Sequence, residues 1–107
     1  TFAPFLLARG LYEQAKLHLQ RAYHLAIWSK DMLTVTTALI HLGYIAYTQE
    51  DYNQAEAHLR EGLALARERA DSQRIREALT HLVRVAEVRG DIVQKEAYLQ
   101  EAATLAQ

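Results

Sequence analysis

The chain has 107 residues, half of them apolar, and a net charge of −1 from 12 basic and 13 acidic side chains. That length fits one domain or a stretch of a longer array, and the near-neutral balance gives no field for steering onto nucleic acid or an anionic membrane. With no cysteine there is no disulfide framework and no thiolate zinc site; no apolar run is long enough to span a membrane and no leader pattern is present, so a cytoplasmic protein is expected.

A single proline and four glycines predict long helices rather than strands with tight turns. The opening TFAPFLLARG reads as a short helical piece near 3–9, with Phe2, Ala3 and Leu6 on packing positions and Pro4 in the first turn. Gly10 stands where that piece would need a left-handed end, as Gly90 does later. The chain has no initiator Met and enters partway through a repeat, so a fragment of a longer protein is expected.

Further helices are predicted near 12–29, 32–48, 52–69, 72–89 and 92–106. Leu39, Leu42, Gly43 and Ala46 recur at the spacing of one helix face, as do Leu79, Leu82, Val83 and Ala86. The alternate helices carry Tyr52, Ala55, Leu59, Gly62, Leu63 and Ala66, with counterparts at Tyr12, Ala15, Leu19, Ala22, Tyr23 and Ala26. Small residues at 55, 62 and 66 let two helix backbones approach, and Tyr52 and Leu59 fill the space between. Asp31 and Asp71 are predicted to cap the helices that follow them, and Asp51-x-x-Gln54 and Asp91-x-x-Gln94 have the form of a capping box.

The pattern is an internal repeat. Residues 11–50 placed over 51–90 give thirteen identities without a gap, where chance gives about three. A fixed period of this size means stacked units that each bury one face on the next.

L-x-x-L-G-x-x-A followed by E-D-Y-x-x-A-x-x-x-L-x-x-G-L resembles the tetratricopeptide repeat (TPR), with Leu39, Leu42, Gly43, Ala46, Tyr52, Ala55, Leu59 and Gly62 on its signature positions. The resemblance implies an all-α fold of antiparallel helix hairpins stacked as a right-handed superhelical solenoid. It divides one domain into a partial repeat at 1–30, a repeat at 31–70 and a third at 71–107. The period of 40 exceeds the usual 34 or so, and this long form is similar to repeats of bacterial multidomain regulators and signalling ATPases. Lys95 departs from the small-residue position held by Ala15 and Ala55; there it must snorkel toward an open side, as in a terminal repeat. A HEAT-like pair is the alternative architecture.

Catalytic chemistry finds no footing. The two serines, Ser29 and Ser72, stand near helix ends where capping explains them, and the four glycines are isolated rather than grouped in a phosphate loop. His18 and His24 lie on different faces of one helix, and the repeat-related pairs His18/His58 and His41/His81 fall one helix packing distance apart, too far to share a metal. Seven arginines between Arg60 and Arg89 are interleaved with Glu61, Glu68, Asp71, Glu77 and Glu87, without an aromatic residue for base stacking, so they read as a salt-bridged surface. A non-enzyme without cofactor or metal, contacting neither nucleic acid nor membrane, is expected.

The resemblance also implies a concave face lined by the first helix of each repeat. Carried onto this sequence, that face comprises Thr37, Ile40, His41, Tyr44, Tyr47, Thr48, Glu77, Thr80, His81, Arg84 and Glu87. Aromatic anchors supply desolvated area and an arginine can hold a carboxylate, which suits a peptide or protein segment. The family's two-carboxylate clamp of Lys, Asn and Arg is not matched: Ile40, His41, Thr80 and His81 occupy those places. The expected function is a non-catalytic interaction module in a larger bacterial regulatory protein. Two alternatives stand beside it: a small-effector sensor with an enclosed pocket near Tyr44 and His41, and self-association through an apolar stripe of Leu99, Ala102 and Leu105, giving a homodimer.

Overall fold

The computed structural model describes residues 3–106, with side chains from Arg9 onward. Phe2, and the side chains of Ala3, Pro4 and Leu6 expected on the packing face, lie outside the described residues. Five helices follow one another: α1 Ala3–Ser29, α2 Met32–Thr48, α3 Tyr52–Glu68, α4 Ser72–Arg89 and α5 Ile92–Ala106.

Each joint is built in the same way. Lys30, Glu50, Ala70 and Gly90 take left-handed φ values of 62°, 64°, 51° and 70°, and each is followed by an aspartate. The aspartate amide donates back to the carbonyl of an alanine five residues earlier: Asp31 to Ala26, Asp51 to Ala46, Asp71 to Ala66 and Asp91 to Ala86, at 2.8–2.9 Å. The left-handed residue's own amide reaches the carbonyl three residues back, which completes a Schellman stop. The same aspartate then starts the next helix, its carboxylate accepting from the amide of Thr34, Gln54, Arg74 or Gln94 at 3.1–3.2 Å. One residue thus ends a helix with its backbone and begins another with its side chain. Consecutive helices are left antiparallel across two-residue joints.

Two sequence expectations are corrected here. The capping boxes are half made, because the aspartate amide that Gln54 and Gln94 would accept from is already spent in the Schellman bond. Gln54 instead meets His58 Nε2 at 2.9 Å, and Gln94 donates to the Tyr98 hydroxyl at 3.3 Å. Nor does Gly10 end a helix: α1 runs unbroken from Ala3 to Ser29 in place of pieces near 3–9 and 12–29. Leu11, unlike the residue after every true joint, offers no carboxylate to free amides, so a break there would orphan them. Glycine in a helix interior costs only about 1 kcal/mol, and the helix continues through it.

The helices pack as a stack of hairpins, each against the next in sequence, and α2 also packs on α4. The result is an all-α repeat solenoid measuring 46 × 38 × 20 Å, two helices thick. Its core runs through α2, α3 and α4, where Leu39, Leu42, Ala55, Leu59, Leu63, Leu79, Leu82 and Val85 are buried. Close approach depends on two glycines. A Cβ on Gly43 would lie 2.5 Å from Leu59 Cγ, and one on Gly62 would lie 3.1 Å from Ile40 Cγ1. Thr36, the one buried polar residue among the described residues, donates its hydroxyl to the Met32 carbonyl at 2.7 Å.

Candidate partner-binding face

The face shared by α2 and α4 is assembled by contacts between the two helices. At one end Arg74, in the first turn of α4, donates from Nε to Thr37 Oγ1 of α2 at 3.2 Å and from Nη1 to Glu77 at 2.9 Å. In the middle the rings of Tyr44 and His81 stack with centroids 4.9 Å apart, tilted by 37°. Exposed His41, Thr80 and Arg84 surround this pair. At the far end Glu87 is held by Lys95 Nζ of α5 at 2.9 Å.

Charge on this face follows from those pairings. Glu77 is neutralised by Arg74 and Glu87 by Lys95, whereas Arg84 has no carboxylate partner among the described residues. His81 is half-buried with its Nδ1 out of reach of solvent and unpaired. Burial, reinforced by the neighbouring Arg84 and His41 and opposed by Glu77, holds its pKa below the ordinary histidine value. Tyr44 therefore stacks on a ring biased toward the neutral form, and it keeps 40% of its surface exposed.

Not every residue expected on this face reaches it. Ile40 is fully buried, packed against Gly62 of α3. The reason is that α2 is covered on more than one side, so its apolar band is wider than a single helix stripe. Tyr47 turns toward α3, where it packs against the core and sits 5.9 Å from the ring of Tyr52. Thr48 is half-buried and donates its hydroxyl to the Ile45 carbonyl at 2.7 Å. Arg74 was missing from the expectation, although its place three residues before Glu77 is the spacing of a helix ion pair. Lys95 does snorkel, but its target is a carboxylate of α4 rather than open solvent.

The members of the C-terminal stripe differ in exposure. Ala102 and Leu105 pack inward against the core, leaving Leu99 as the exposed member at 46%. In α3 the counterpart Leu59 is fully buried between α2 and α4. Helix α5 packs closely on α4, reaches α3 through side chains, and turns Tyr98 inward instead, where the hydroxyl accepts from Arg60 Nε of α3 at 3.3 Å.

The arginine-rich stretch is largely spent in ion pairs. Arg60 and Arg89 both hold Glu56, at 3.2 and 3.1 Å, and Arg67 grips Glu101 with two nitrogens. No group of three or more His, Cys, Asp or Glu side chains among the described residues is placed to hold a metal ion, and no helix there is long and apolar enough to cross a membrane. Clefts of about 460 and 370 Å³ lie away from Tyr44 and His41. The first is bordered by Arg9, Tyr12, Glu13 and the Thr48–Asp51 joint, and the second lies between α3 and α5 around Arg60, Arg67 and Tyr98.

Residues 5–89 match the family described as Anaphase-promoting complex subunit 5. No curated protein and no solved structure matches the chain. The family match supports a TPR-like helical repeat rather than the long-repeat form of bacterial regulators. With nearly all of α1 and the whole of α2, α3 and α4 inside the matched span, the chain belongs to the Anaphase-promoting complex subunit 5 family, a helical repeat protein in its fold.

Proposed function

We propose that the chain is a non-catalytic protein-interaction module that binds an extended or helical segment of a partner protein on its α2/α4 face. The carrying observation is the Tyr44–His81 stack, partly exposed beside an arginine that has no carboxylate partner within the described residues. An aromatic anchor on a rigid helix pair loses little entropy on binding, and a free guanidinium can pair with a carboxylate of the partner. His41, Tyr44, Thr80, His81 and Arg84 form the centre of the face, with Thr37, Glu77 and Glu87 as its already paired rim.

The name of the matched family supports a place within a multiprotein assembly, with this chain as one TPR-like domain of a longer protein, its repeats at 1–30, 31–70 and 71–107. On this reading it acts within a larger regulatory protein in the cytoplasm. A sensor that encloses a small effector beside Tyr44 and His41 gains no support, since the clefts described above lie elsewhere.

The test is capture of partners from source-cell lysate on the wild-type chain and on Tyr44→Ala/His41→Ala/Arg84→Ala, followed by affinity measurement with the purified partner. A partner whose affinity falls roughly tenfold or more in the variant supports the face. Equal affinity for both chains, with helicity unchanged by circular dichroism, rules the face out.

A further inference from the structure

The outward side of α1 differs from that of α3. Leu17, Arg21, His24, Leu25 and Trp28 fall along it at helical spacing, and Leu17, Leu25 and Trp28 are 52%, 71% and 87% exposed. Together the three apolar residues expose about 400 Å², comparable to the largest apolar patch of an ordinary monomer. A further repeat stacked beside α1 would reach Leu25 at the edge of this side but would leave Leu17 and Trp28 uncovered. Helix α3 has neighbours on two sides, α2 and α4, and yet Ala57, Glu61, Ala64 and Glu68, the counterparts of Leu17, Arg21, His24 and Trp28, remain exposed, while Leu65, the counterpart of Leu25, is partly buried against Ala26, Val35 and Leu39. There the solenoid presents small or acidic residues to water; α1 presents a tryptophan and leucines.

The pattern on α1 is self-complementary. Leu17 and Trp28 lie at equal distances from a point between Ala22 and Tyr23, with Arg21 and His24 symmetrically inside them. An antiparallel pairing about a two-fold axis at that point seats Trp28 of each copy on Leu17 of the other, three helical turns apart on the same side. Helix α1 is about 40 Å long, enough to carry the contact. Two such patches with their polar flanks bury about 1,200 Å² in all, the lower end of a specific interface. We propose that this side of α1 is a homodimer interface, in which two copies of this chain pair antiparallel through Leu17, Leu25 and Trp28.

Trp28 is the chain's only tryptophan and reports on the contact directly. The experiment follows sedimentation velocity and tryptophan emission together over roughly 1 to 200 µM protein. The expected result is a doubling of mass with a blue shift and protection from iodide quenching at the same midpoint. Trp28→Glu, and separately Leu17→Asp, raise the dissociation constant by roughly tenfold or more with helicity unchanged, since both side chains point to water in one copy. Leu99→Glu on α5 leaves the dimer as it was. The proposal is overturned by a constant monomer mass, by a dimer whose Trp28 stays red-emitting and quenchable, or by a blue shift seen only with anionic lipid vesicles.

Discussion

Gly43→Ala tests the packing of α2 on α3 at its tightest point. The added Cβ would lie 2.5 Å from Leu59 Cγ, 2.8 Å from Leu59 Cδ2 and 3.3 Å from the Ala55 carbonyl oxygen. Leu59 is fully buried, so it cannot swing out toward solvent without leaving the core. Overpacking of this kind costs about 1–3 kcal/mol, while glycine to alanine in a helix interior returns about 1 kcal/mol. With two contacts well inside 3.0 Å the upper half of that range applies, so a net loss of about 1–2 kcal/mol follows, which lowers Tm by about 5 °C or more in a chain of this size. The control is Gly10→Ala, also inside a helix but with nothing within 4 Å of its added Cβ; it should gain about 0.5–1 kcal/mol. Urea unfolding followed by helicity measures both. In a Gly43→Ala/Leu59→Ala cycle the two losses should be less than additive by about 1 kcal/mol, because truncating Leu59 removes the clash. A neutral or stabilising Gly43→Ala would refute the packing account.

The joints make a second set of predictions. Ala70 sits at φ 51° with a Cβ that this region penalises, so Ala70→Gly should stabilise by about 0.5–1 kcal/mol, and Gly90→Ala at φ 70° should destabilise by a similar amount; thermal melts of the two single variants decide it. Asp71→Ala removes the acceptor for the Arg74 amide and should cost about 1 kcal/mol in urea unfolding, with Asp71→Asn retaining most of it. His58 and His81 are both held below the ordinary histidine value, by burial first; for His58, Lys16 adds to the depression while Glu61 and Asp51 oppose it. Below about pH 6.5 the unfolded chain therefore binds protons that the folded chain refuses, so stability is complete above that pH and falls as pH drops through the folded-state values. His58→Gln/His81→Gln should flatten the Tm profile between roughly pH 7 and 5; an unchanged slope would assign the acid sensitivity to other groups.

Much of this fold was legible in the chain because the signals that specify it are local. Each aspartate at 31, 51, 71 and 91 closes one helix and opens the next within a few residues, and the stripes through Leu39, Leu59 and Leu79 repeat at the spacing of a buried helix face. Helix limits and the hairpin repeat follow from such short-range chemistry. The same reasoning misread Gly10, where the glycine was present but the carboxylate that makes a joint was not.

What surrounds each helix was settled only by tertiary packing. Ile40 looks like a flank of its stripe, yet α3 covers it through Gly62; Leu99 repeats Leu59 but stays exposed because α5 packs closely only on α4, whereas α3 lies between α2 and α4. The Tyr44–His81 stack and the Arg74–Thr37 bridge join residues 37 positions apart, a proximity that exists only once α2 and α4 lie side by side. Local sequence determines where a helix starts, stops and carries apolar groups. Which of those groups meet water depends on how many neighbours the helix has, and that is a property of the assembled stack.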